Sequence, residues 1–183
     1  MKLRTSLLPL VALLALASPA LAQQAPGFWT TPAIKGIGPV HVWPQATLRP
    51  SATATYKAVF DVTKDGDANK TDAALAHVAR AVNVFAAAGV PLAHLEFVVV
   101  IHGPATPVAL SAKSFEAKFG HPNPNLHVIE ALKKAGVRIL VCGNAIGDMG
   151  YTPSEINPDV KVALSALSTL IILQDQGYAL LAM

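Results

Sequence analysis

The chain has a single cysteine, Cys142, so it forms no internal disulfide and must hold its fold by packing. It has no cluster of lysine or arginine beyond the N-terminus, and so lacks the electrostatic footprint of a nucleic-acid binder. Neither a Gly-x-Ser-x-Gly elbow nor a phosphate-binding loop occurs. Gly36-x-Gly38 is not a dinucleotide fingerprint, because no strand precedes it in a βαβ unit. His41, His77, His94, His121 and His127 are scattered, and no histidine stands at zinc-site spacing from Cys142. No metal and no cofactor is therefore expected.

The N-terminus reads as an export signal, residues 1–22. Lys2 and Arg4 give it a positive start, Leu7 to Ala17 an apolar stretch, and Ala20-Leu21-Ala22 a small-x-small cleavage pattern. The apolar stretch is shorter than the ~20 residues needed to span a bilayer. Cleavage predicts a periplasmic or secreted chain without a membrane span. Losing Lys2 and Arg4 lowers the formal net charge from +3 to +1.

Residues 23–54 form a distinct arm. Pro26, Pro32, Pro39, Pro44 and Pro50, with Gly27, Gly36 and Gly38, exclude a long helix. Both tryptophans, Trp29 and Trp43, lie here, which a disordered tail would lack. The arm packs either on its own domain or on a neighbouring subunit.

Residues 55–183 read as one α/β domain. Tyr56 to Val62 is a strand that ends in the turn cluster Thr63 to Asp67. Leu75, Val78, Val82 and Phe85 mark a helix, with Asn69 or Thr71 as its cap and Gly89 as its stop. Leu95 to Ile101 (LEFVVVI) is a strand buried on both faces. Short helices follow from Ser111 to Phe119 and after Asn123-Pro124, the second ended by Gly136. Val137 to Cys142 is a third strand. Thr152-Pro153-Ser154-Glu155 carries capping-box chemistry. Asn157-Pro158 is expected to start a helix running to about Asp175, and Tyr178 to Ala182 a last strand. Alternating strands and helices predict a mostly parallel sheet of about five strands covered on both faces, a three-layer α/β/α fold.

In such sheets ligands bind beyond the carboxyl ends of the strands. The polar residues there are Asp61 and Thr63, then His102 with Gly103, then Cys142 with Gly143 and Asn144. If Gly143-Asn144-Ala145 opens a helix, its N–H groups favour a thiolate at Cys142. His102 has the chemistry of a base or hydrogen-bond partner for that thiolate. Cys142 equally suits a small apolar filler, and His102 an ordinary strand-end residue.

Three segments resemble the DsrE/DsrF-like family. Asn83 to Gly89 with Leu95 to Gly103 looks like a first helix end and second strand. Val137 to Gly150 (VRILVCGNAIGDMG) places Cys142, Ala145 and Gly150 in the family's Cys-x-x-Ala-x-x-x-x-Gly spacing. The closing helix with Gly177-Tyr178 resembles an exported branch. The resemblance covers roughly residues 55 to 183. It implies a three-layer fold and assembly into homotrimers or hexamers. It also implies a cysteine that takes up sulfur as a persulfide, from a protein or a small sulfur compound, and passes it on. Asp148 and Met149 stand where relay members often carry arginine, and His102 where they are more often acidic. The functional expectation is a sulfur-handling or thiol-relay carrier acting through Cys142, more a carrier than a turnover enzyme. The alternative is a non-catalytic exported protein that binds a small ligand or a partner.

Overall fold

A computed structural model of the chain describes residues 27–64 and 66–183. The expected export signal lies outside them, as does Asp65 of the turn cluster. Five strands form one sheet: β1 (Tyr56–Val62), β2 (Leu95–Ile101), β3 (Arg138–Cys142), β4 (Lys161–Ala163) and β5 (Ala179–Ala182). Their order is β4-β3-β2-β1-β5, and every neighbouring pair is parallel. The helices are α1 (Ala73–Ala87), α2 (Ala112–Phe119), α3 (Leu126–Lys134), α4 (Gly143–Asp148) and α5 (Ala166–Asp175). No described helix is long and apolar enough to cross a membrane.

Side-chain alternation builds two cores from the same strands. Phe60, Phe97, Val99 and Ile101 face α1 and α3, against Leu75, Val78, Val82, Ile129 and Leu132. Val59, Val98 and Val100 face the opposite side, beneath α5. β2 is apolar at consecutive positions because it serves both layers. Each fully buried Val, Leu or Phe here contributes roughly 1.5–3 kcal/mol. Right-handed crossovers assign the layers. The chain steps from β1 to β3 in one direction, with its helices on one face. It then returns from β4 to β5 at the opposite edge, which puts α5 on the other face.

Three expectations need correction. The cap of α1 is Asp72, whose carboxylate accepts the Leu75 N–H at 3.0 Å; Thr71 instead donates to the Pro124 carbonyl. The helix expected from Asn157 to Asp175 is two elements. Asn157 to Val160 closes a turn, with Asp159 N–H donating to the Asn157 side chain and Val160 N–H to the Asn157 carbonyl. β4 follows, and only then does Ser165 cap α5 by accepting from Leu167 N–H. The Thr152–Glu155 box forms, with Glu155 accepting from the Thr152 N–H and hydroxyl at 2.8 Å each. It yields a single 3-10 turn, Pro153–Glu155. Ile156 is drawn out of it into an antiparallel bridge with Leu110.

The described part of the arm packs on its own domain. Asn83 of α1 is fully buried and reads the arm backbone. It accepts from Ala33 and Ile34 N–H and donates to the carbonyls of Ile34, Ile37 and Gly38. Gly38 approaches so closely that a Cβ would lie 2.3 Å from Arg80 N. Ile34 and Val40 are buried here.

Candidate functional site

Cys142 is the last residue of β3 and the residue from which α4 starts. The helix starts at once because Gly143 permits it. A Cβ at Gly143 would sit 2.9 Å from the Ala163 carbonyl and 3.2 Å from that of Leu164. The end of β4 can therefore close against the end of β3. This closure brings the first turn of α5 over the thiol, and Ala166 N–H donates to Cys142 Sγ at 3.2 Å.

The expected sulfur donors were the amides of Gly143, Asn144 and Ala145. Those amides do not hold the sulfur among the described contacts; the bond comes from Ala166, 24 residues downstream. Asn144 is exposed on the first turn of α4. Cys142 is 6% exposed and belongs to the buried cluster of Val59, Val98, Val100 and Leu173.

Asp61 and His102 are brought together. Asp61 shares the α5-side face of β1 with Val59, and His102 follows Val98 and Val100 on the same face of β2. His102 Nε2 lies 2.6 Å from Asp61 Oδ1, and both side chains are about three-quarters buried or more. A carboxylate only accepts, so Nε2 carries the proton of this bond. His102 stands one step beyond the Ile101–Val141 pair of β2 and β3, which sets it beside Cys142. Its hydrogen bond nevertheless goes to Asp61, not to the thiol. Gly103 turns the chain away with φ +55° into the 3-10 segment Gly103–Ala109.

Asp61, His102 and Cys142 thus stand at the carboxyl ends of three adjacent parallel strands, on one face. The arrangement can hold an anionic sulfur by a backbone amide and present an imidazole to a thiol exchanging beside it. Among the described residues, no three His, Cys, Asp or Glu side chains gather as a metal site would require. Two features were not read from the sequence: the Ala166 amide and the Asn83 anchor. Ser165 directly before an apolar helix was a cap signal for the first; a lone buried asparagine gave none.

At the other end of this face, Tyr178 closes the core. Its hydroxyl accepts from Arg138 at 3.0 Å and donates to Glu96 at 3.2 Å, while Lys57 pairs with Glu96 at 3.7 Å.

A parallel three-layer α/β/α domain with a cysteine closing its third strand is a defined class. The sequence profile of the DsrE/DsrF-like family matches residues 57–183, and the chain belongs to that family. A solved protein of unknown function from Methanobacterium thermoautotrophicum has the same fold, at 20% identity and TM-score 0.51. The match covers 70% of this chain and 99% of that one. Among curated proteins none matches this chain.

Proposed function

We propose that this protein is an exported sulfur carrier that takes up a sulfane sulfur on Cys142 as a persulfide and hands it on. The observation that carries the reading is the Ala166 N–H bond to Sγ, which sets a backbone donor on the one sulfur that could carry the added atom. Family membership, linked to sulfur relay, supports it. The Cys142 thiolate attacks the outer sulfur of a donor persulfide, R–S–SH. A new S–S bond forms, the donor S–S bond breaks, and R–S⁻ leaves and is protonated. The products are Cys142–S–SH and R–SH, so the exchange needs no oxidant. His102, held by Asp61, handles the proton of the exchanging thiol.

Residues 1–22 support export. The outer face of α5 supports self-association as a trimer or hexamer. Leu167 (77% exposed), Ile171 and Ile172 of this helix face outward beside Leu164. An apolar face of that kind is ordinarily covered. The deep burial of Cys142 favours a second reading, a non-catalytic binding protein in which the thiol is core packing. Intact mass after exposure to a persulfide donor separates the two. The carrier gains one sulfur atom that the Cys142→Ser protein does not gain. A thiol that stays unloaded in folded protein leaves the binding reading.

A further inference from the structure

A cavity of about 160 Å³ opens where the arm crosses the C-terminal half of α1. α1 runs antiparallel to the strands, so this is the opposite end of the domain from Cys142. Val84 and Ala87 of α1 line one side, and Val42, Trp43, Leu48 and Arg49 of the arm line the other. The arm side is rigidly built. His41 stacks on Phe28 with ring centres 3.6 Å apart and planes within 7°. Trp43 meets His41 edge-on at 4.6 Å. His41 Nδ1 donates to the Phe28 carbonyl at 2.7 Å, and the isolated antiparallel Thr30–Val40 bridge ties two segments of the arm together. The Asn83 anchor fixes where this assembly sits on α1.

The chemistry of the lining is uneven. It is apolar apart from His41 and Arg49, and no acidic side chain among the described residues lines it. Arg49 spends one N–H on the Pro44 carbonyl at 3.0 Å, and no carboxylate pairs with it among the described residues. Its remaining N–H groups form a planar fork suited to a carboxylate. A dianion would find no second Lys or Arg among the described lining residues, and an uncharged hydrocarbon would leave the fork unused. Trp43, half exposed, offers a flat face to a ring. We propose that this cavity binds a small aromatic monocarboxylate, its ring against Trp43 and its carboxylate on Arg49. The site is independent of sulfur chemistry at Cys142.

Both tryptophans of the chain belong to this cluster, so their fluorescence reports on it. The folded protein is titrated with benzoate, and with benzyl alcohol as the uncharged counterpart. Benzoate is expected to give a saturable change that persists in Trp29→Phe, where only Trp43 reports. Arg49 is exposed, and Arg49→Gln weakens benzoate about tenfold or more while leaving benzyl alcohol unaffected. Arg49→Lys recovers part of the loss. Absence of a saturable change at millimolar benzoate overturns the proposal, as does equal benzoate affinity in Arg49→Gln. A fluorescence change that follows protein concentration instead of benzoate also overturns it, because a second copy would then cover the face.

Discussion

Replacing Asn83 by alanine should release the arm from the domain. The side chain is fully buried and satisfies two N–H groups and three carbonyls of residues 33–38, at 2.8 to 3.2 Å. Alanine removes all of these partners. Each buried polar group left unpaired costs roughly 1–3 kcal/mol. Water can reach the partly buried groups, so two penalties in the lower half of that range are a fair count, giving about 3 kcal/mol. In a domain of this size that corresponds to a melting temperature lower by roughly 6–12 °C if the arm and sheet unfold together. Asn83→Asp should fall almost as far, because a carboxylate donates no hydrogen bond to the Ile34, Ile37 and Gly38 carbonyls. Urea unfolding is followed by tryptophan fluorescence for the arm and by far-ultraviolet circular dichroism for the sheet. Loss of coincidence, with fluorescence changing first, marks local release of the arm. A stability change under about 0.5 kcal/mol with coincident curves would refute the assignment of Asn83 as the anchor.

Gly143→Ala should destabilise by about 1–3 kcal/mol, because the new methyl meets backbone carbonyls that cannot rotate away. It should also speed alkylation of Cys142 by loosening the Ala166 contact; unchanged stability would contradict the close approach. Glu155 titrates below its ordinary value of 4.5, held down first by the Thr152 hydroxyl and then by the Thr152 N–H. A depressed carboxylate stabilises its turn at pH above the ordinary value and loses that support as pH falls through the lowered one. Its side-chain NMR midpoint should therefore return toward 4.5 in Thr152→Ala, and no movement would remove the capping assignment. Light scattering should find an oligomer that Leu167→Glu with Ile171→Glu disperses to monomers; a monomeric parent protein refutes self-association through α5.

Where local pattern and tertiary demand agreed, elements were legible to within a residue. The apolar run of β2 and the repeat Leu75, Val78, Val82 each point to one structure only. Asn157 to Asp175 was read as a single helix because its apolar residues suit either period. Lys161, Val162 and Ala163 pair instead with the edge of β3, a partner 21 residues away that local periodicity does not reveal. The site was legible as a set of strand ends; that Asp61, His102 and Cys142 share one face follows from the register of the parallel strands. Its bonding was not legible. Whether His102 turns to Asp61 or to the thiol, and which amide reaches Sγ, depends on side-chain and loop geometry that spacing does not encode.

The carrier reading is tested most directly at the peptide level. Folded protein is loaded with a persulfide donor, freed of excess donor, alkylated and digested, and the peptide holding Cys142 is weighed before and after addition of an acceptor thiol. The account predicts one added sulfur on that peptide before the acceptor and none after it, with the sulfur recovered on the acceptor. It also predicts slower release in His102→Gln, restored in part by added imidazole. A Cys142 peptide that never carries sulfur in folded protein, or carries it without passing it on, would contradict the account.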